Sequence, residues 1–383
     1  MKNLIFVIGV GLVSLAVFWL PFWFRTGQFW GIEFGYRGME TIVQNFDGLN
    51  FLVVAKSLYN PAIIDKINQG FSTGNDPIYF AAHFPLFPLI LRGFEFLMPV
   101  AYALLATIIL GNILLAVGLY LFFREMTHNS HKALWLTIFG LFLPARILSV
   151  RGVGSNEPLF IFFVLISLTL AARGKHWWAG IVGSLAVLTR SPGILLFAGY
   201  VLAAVASYRL NVKKIFLAIL PYLTMPLTLA GIFVFYAWQY QDPLAYFHSG
   251  DNLHLFFPPF QIFSNMASWV SGMWREDLVY IYLFYAAGLA VYLKSLKGKM
   301  GIEKLAPGAF GLLYGIVLLF VTHRDLARYS LPLTPIAMLG LAKIADHQEL
   351  KWLWILLLIP VYLLGWQFIL ANIQPIADWT ALL

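Results

Sequence analysis

Of the 383 residues, 61% are hydrophobic and only 11% are charged, against about 25% charged in an ordinary soluble domain. A soluble chain this apolar would expose large hydrophobic patches, which excludes a soluble globular protein and calls for a lipid solvent. The net charge of +8 comes without a basic cluster set in a soluble fold, which argues against nucleic acid as a partner, and the lack of cysteine excludes disulfides and thiolate metal sites.

Four runs, Leu4–Phe24, Leu104–Phe123, Ile215–Trp238 and Trp352–Leu370, each reach the roughly 20 residues that cross a bilayer as helix. They lack the alternation that a membrane barrel would need. Taken in chain order, spans are expected at 4–24, 101–123, 133–149, 158–172, 177–190, 192–208, 215–238, 278–293, 305–322, 330–345 and 352–371. The first follows Lys2, ends in Trp19, Phe22, Trp23 and Phe24, and has no small-residue cleavage site, so it reads as an uncleaved span. The segment 84–100 is apolar but short, and its Pro85, Pro88, Arg92 and Glu95 mark an interfacial helix. The expectation is one integral membrane domain over 1–383, all-α, with a first outer loop at 25–100 and a second at 239–277.

Short loops rich in Lys and Arg stay inside the cell. The clearest is the block Lys294, Lys297, Lys299 and Lys304, which puts the N-terminus in the cytoplasm. A second set of ionisable residues falls at or near the expected outer ends of the spans: Asp47, His83, Arg146, Arg151, Glu157, Arg190, His248, Asp251, His254, Arg324, Asp325 and Arg328. Charge so near hydrocarbon is costly and usually has a use.

Each of these has a plain reading beside the functional one. Asp47, followed by Gly48, either holds a carboxylate at the water–lipid boundary or caps a surface helix. His83, ahead of Pro85 and Pro88, is a ligand or an incidental interfacial residue. Glu157, followed by Pro158, is a site carboxylate or ordinary first-turn chemistry. Arg190, between two apolar runs, needs a carboxylate, phosphate or carbonyl partner. Arg324 and Arg328, four apart, form a phosphate clamp with His323 if helical, or else a salt-bridge knot with Asp325. His248, Asp251 and His254 have metal-like spacing in a loop too rich in Gly and Pro to trust the register.

As an ordered set these motifs resemble a known superfamily. Asp47 follows the first span, and His83-Phe84-Pro85-Leu86-Phe87-Pro88 comes next. Leu143-Pro144-Ala145-Arg146 then leads to Ser155-Asn156-Glu157-Pro158-Leu159-Phe160, ahead of Thr189-Arg190-Ser191-Pro192-Gly193 and the late Arg328-Tyr329. The set is similar to the GT-C membrane glycosyltransferases, and within them to the PIG-V type mannosyltransferases and their bacterial relatives. That family carries a Trp-Asp motif, where Phe46 stands here. It carries Ser-Glu-x-Leu-Phe, where Asn156 intervenes, and Arg-Ser-Asn-Gly, where Pro192 replaces the Asn. The resemblance covers about residues 1–335.

It implies a GT-C-like bundle of about eleven transmembrane helices in a bacterial plasma membrane, with the active site on the outer face. The donor would be a polyprenyl-phosphate sugar, mannose by analogy, and the acceptor a lipid-linked or surface glycan. Membrane lipid surrounds the chain, and no cofactor or essential metal is expected. Asp47 would be general base, with Glu157 orienting the acceptor or serving as the alternative base. Arg190, Arg324, Arg328, His83 and His323 would hold the donor phosphate, and Asn50, Asn156 and Tyr329 the acceptor or sugar. Transfer would invert the anomeric centre. The competing readings are a transporter or flippase of a lipid-linked or anionic substrate, which would carry its charges at mid-membrane, and a non-catalytic assembly subunit.

Overall fold

The computed structural model describes residues 2–68, 75–209, 211–264, 273–296, 300–343 and 346–376. Lys297 and Lys299 of the expected basic block lie outside the described residues.

The fold is a bundle of helices. Among the described residues, five helices are long and apolar enough to cross a membrane: Lys2–Trp23, Val100–Thr127, Ser191–Tyr208, Arg275–Ser295 and Gln348–Ala371. A sixth arises if Val212–Tyr222 and Thr224–Tyr240, which meet at 55°, count as one broken span. Pro221 and Pro226 flank the bend, each lacking the amide that a straight helix would use. Glu157–Ala172 and His176–Thr189 are shorter apolar helices. They form a hairpin through Gly174, whose φ of +72° suits the turn.

Besides the bent 215–238 span, two further expected spans are not single helices. The 133–149 span breaks: one helix covers Ser130–Gly140, and a second, short one covers Arg146–Arg151. Pro144 cannot continue the helical ladder and restricts the residue before it. The 330–345 span is likewise a short 3-10 turn at Leu331–Leu333 and a helix at Thr334–Gly340, with Pro332 and Pro335 near the start of each. The 84–100 segment holds one helix, Leu86–Glu95, about 15 Å long and too short to cross.

The break after Gly140 frees backbone carbonyls, and Arg151 answers for one of them. Its Nε donates to Leu141 O at 2.9 Å, while its Nη atoms donate to Asn112 Oδ1 at 2.7 Å and Ser14 Oγ at 2.7 Å. Arg151 is therefore fully buried between three helical segments, turned away from the outer-end cluster in which its sequence neighbours place it. Hydrogen bonds to a charged group contribute about 1.5–3 kcal/mol each, so this side chain ties the first helix to the broken one.

The first outer loop carries a two-stranded hairpin, Gln28–Phe29 against Ile32–Glu33, turned at Trp30 and Gly31, both with positive φ. The same loop holds the helix Gly48–Ser57, which is buried along almost its whole length rather than lying on a surface. Leu104 packs beside Gly48 and Gly154, so the start of the Val100–Thr127 helix lies at their end of the bundle. Its far end, at Arg124, is about 30 Å away.

Candidate active site

Backbone contact between two glycines sets the site. A Cβ on Gly154 would run into the Cα of Gly48, and a Cβ on Gly48 would run into the carbonyl of Val43. Only glycines let the first outer loop press this closely on the turn before Glu157–Ala172. Phe46 takes a left-handed φ of 49°, a strained state for a bulky residue. Asp47 follows it as the N-cap of Gly48–Ser57, yet its carboxylate makes no capping bond. It pairs with Arg328 Nη2.

Glu157, the first residue of its helix, is fully buried. Ser155 Oγ donates to one carboxylate oxygen, Arg190 Nη1 and Arg328 Nε donate to the other, and Arg328 Nη2 reaches Oε2 at 3.2 Å. Arg328 thus bridges Asp47 and Glu157, and Arg190 closes the far side. The Arg328 guanidinium also lies over the Phe46 ring, 4.7 Å from its centroid.

Above this knot opens a cavity of about 370 Å³. Asp47, His83, Asn156, Arg190, His323, Arg324, Arg328 and Tyr329 line it. Glu157 lies beneath, and Asn50 stands behind His83, its amide 3.2 Å from Nε2. Of the ten residues expected to act on donor and acceptor, eight line this hollow, Glu157 lies beneath it and Asn50 stands behind His83, whereas Arg151 and His248 are held elsewhere. The ten come from the first outer loop, the Ser155–Glu157 turn, the end of His176–Thr189 and the 323–329 connection, all helix ends.

Some details differ from expectation. Arg324 precedes the Leu326–Tyr329 helix, so Arg324 and Arg328 do not stack on one helical face. Arg324 is exposed at the rim, and among the described residues no carboxylate pairs with it. Asp325 pairs with Arg146 at 3.1 Å instead of with Arg328. His248, Asp251 and His254 go three ways: His248 Nδ1 to Asp242 at 2.6 Å, Asp251 toward His83 at 3.8 Å, and His254 into a stack on His323. Among the described residues no group of three or more His, Cys, Asp or Glu stands as a metal cage.

Other lining residues carried no sequence signal. Phe368, Asn372 and Gln374 come from the end of the last helix, brought in by a bridge between Asn45 and Ile373 and by Gln374 Nε2 donating to Phe46 O at 2.6 Å. Tyr246 holds Ser191 Oγ at 2.7 Å and so joins the second outer loop to the Arg190 turn.

The electrostatics divide the groups. Burial would raise the Asp47 carboxyl, but Arg328, helped by His83, holds it below its usual value. Asp251 goes the other way, since burial raises it more than His83 lowers it. Burial, with His254, Arg328 and Arg324 nearby, lowers His323 to about 3, so its ring is neutral at pH 7.

Beside the cavity runs an apolar groove of about 720 Å³. Pro85, two residues past His83, and Leu188, two before Arg190, line it with Leu58, Tyr59, Ile63, Ile232, Phe235 and Trp238. Tyr59 donates to His83 O at 2.6 Å, so groove and cavity share a wall.

No protein-family model and no curated protein sequence matches the chain. Among solved structures it is similar to the oligosaccharyltransferase of Archaeoglobus fulgidus, crystallised with Zn and sulfate, at a TM-score of 0.54 and 14% identity. The match covers 97% of this chain and 54% of that one, so the chain spans about half the length of its neighbour. At that identity the likeness is one of fold. The chain is a helical integral membrane protein that shares the fold of that oligosaccharyltransferase.

Proposed function

We propose that this protein is a membrane glycosyltransferase that moves a sugar, mannose on the motif resemblance, from a polyprenyl-phosphate donor to a lipid-linked or surface glycan at the outer membrane face. The observation that carries the reading is convergence. Asp47, Glu157, Arg190 and Arg328 lie far apart in the chain, yet they form one ion-paired cluster under a polar cavity. The fold shared with an oligosaccharyltransferase supports the same class of chemistry.

The division of polar cavity and apolar groove suits such a donor. The lipid chain lies in the groove, and the phosphate and sugar turn into the cavity past His83 and Arg190. Arg324 supplies rim charge that no carboxylate neutralises, while Arg190 and Arg328, fixed by Glu157 and Asp47, present their remaining donors upward. Their positive charge stabilises the negative charge that grows on the leaving phosphate, usually the largest electrostatic contribution to such a transfer. Neutral His323 can donate a hydrogen bond but adds no charge. The acceptor hydroxyl attacks the anomeric carbon directly, on the face opposite the phosphate, and loses its proton to an aspartate. Asp47, Asp251 and Asp325 line the cavity, and Asp325 is already held by Arg146.

A transporter would place its ionisable groups in mid-span, whereas these sit at helix ends. The test is to incubate purified protein with a panel of polyprenyl-phosphate sugars and candidate glycan acceptors, then read the products by mass spectrometry. One sugar residue added to an acceptor is the expected result. A folded protein that leaves every donor intact would overturn the reading.

A further inference from the structure

We propose that Asp251, from the second outer loop, takes the proton of the acceptor hydroxyl, and that Asp47 is a positioning residue acting through Arg328. This rests on the glycosyltransferase reading.

Three of the four carboxylates at the cavity are already bound to a guanidinium. Glu157 is buried beneath two guanidiniums and a serine hydroxyl. Asp325 is paired with Arg146, and Asp47 with Arg328. Proton transfer to a carboxylate bound to a guanidinium breaks a charge-assisted bond, and this geometry sets Asp47 and Asp325 aside even though burial raises the Asp325 carboxyl above its usual value. Asp251 has no such tie. Among the described residues its one ion-pair neighbour is His83, at 3.8 Å, and about a third of its side chain is exposed to the cavity.

The loop that carries Asp251 is built to hold it there. Ser249 Oγ donates to Tyr246 O at 2.8 Å, and the Asp251 amide donates back to Ser249 Oγ at 3.4 Å. The Leu253 amide donates to the Tyr246 hydroxyl at 3.3 Å, and the Thr322 amide donates to His254 O at 3.0 Å. The loop is thereby sewn to the segment that carries His323, Arg324 and Arg328.

The charged and titratable groups facing Asp251 are Tyr79 and His83 from the 77–83 segment, Asp47 from the first loop, His254 and Tyr246 from its own loop, and Tyr329 across the cavity. Burial and Asp47 raise its affinity for a proton, while His83 and Tyr79 temper the rise.

The step balances. The acceptor O–H proton passes to an Asp251 carboxylate oxygen. The hydroxyl oxygen's electron pair forms the new bond to the anomeric carbon. The bond from that carbon to the phosphate oxygen breaks, and its electron pair leaves with the polyprenyl phosphate. Diffusion of water into the open cavity then returns the proton to solvent.

The experiment compares wild type, Asp251→Asn, Asp251→Ala and Asp47→Asn on a polyprenyl-phosphate sugar donor, over a range of pH, with thermal unfolding as the folding control. Asp251→Asn is expected to keep its unfolding temperature and donor KM and to lose about 10²–10⁴-fold in kcat, the usual contribution of general base catalysis. Its residual rate loses the acid limb of the pH profile, and formate restores part of the Asp251→Ala activity. Asp47→Asn also loses kcat but keeps the acid limb. A folded Asp251→Asn within threefold of an active wild type overturns the assignment and leaves sugar transfer standing. A wild type that forms no product with any donor overturns the glycosyltransferase reading itself.

Discussion

Arg328 donates to Asp47 across 281 positions of sequence, and the same guanidinium reaches Glu157 across 171. One side chain therefore bridges two carboxylates that would otherwise repel each other under the cavity floor, and together with Arg190 it balances their charge. Removing it should be costly. Arg328→Gln leaves Glu157 short of a partner, and breaking a buried pair this way costs about 3–5 kcal/mol. A large fall in unfolding temperature is expected, with turnover reduced about 10²–10³-fold for the lost phosphate stabilisation. Adding Glu157→Gln should recover part of the stability and none of the turnover. Arg328→Lys should behave like Arg328→Gln, because an ammonium cannot span both carboxylates. Thermal unfolding in detergent and steady-state rates check all three.

Arg324 offers the opposite case. It is exposed, and no carboxylate is bound to it. Arg324→Gln should leave the unfolding temperature unchanged and raise the donor KM, on the order of tenfold for one charge-assisted phosphate contact of about 1.5 kcal/mol. A titration of initial rate against donor concentration reads this directly.

The pH profile follows from groups whose signs differ; burial raises Asp325 as well as Asp251, but Asp325 is tied to Arg146 and takes no proton in the transfer proposed above. Asp251 holds its proton more tightly than a free aspartate, so the rate should fall as pH drops through a value above the ordinary aspartate range of about 3.9. Asp47, held below its ordinary value, stays ionised through that fall and keeps Arg328 in place. His323 titrates at about 3, so it contributes no limb in the pH 5–8 window where histidine usually changes charge. His323→Gln should therefore leave the position of the acid limb unmoved, as log kcat against pH would reveal.

The groove can be blocked without touching the cavity. A Cβ at Gly231 meets nothing within 4 Å, so a large side chain fits there and fills groove space. Gly231→Trp should slow transfer from a long-chain polyprenyl donor at least tenfold. The same variant should use a short-chain donor at near wild-type rate. Equal loss with both donors would remove the groove from the account.

Several parts of the site are legible from residues alone, because charge beside hydrocarbon is expensive and stands out. Asp47, Glu157, Arg190 and Arg328 each interrupt or border an apolar run, and all four meet in the structure. Their pairing is not legible. Asp325 is three residues from Arg328 and Arg146 is far away, yet Asp325 pairs with Arg146 because helix termini, not sequence neighbours, face each other. Arg151 looks like another outer-end cation, and only the carbonyl freed at Leu141 shows why it turns inward. The break at Pro144 is hidden by the apolar residues on both sides, whose hydropathy fits one continuous span. Asn372 and Gln374 line the cavity through a bridge to Asn45 that leaves no periodic trace.

The most direct check of sugar transfer at this cavity is a product balance in proteoliposomes. A polyprenyl-phosphate sugar, labelled separately in sugar and phosphate, is supplied with an acceptor glycan, and both labels are followed. The account predicts one polyprenyl phosphate released for each sugar found on acceptor, with both lost together in Arg328→Gln. Labelled donor that crosses the bilayer intact, with sugar and phosphate still joined, would contradict it.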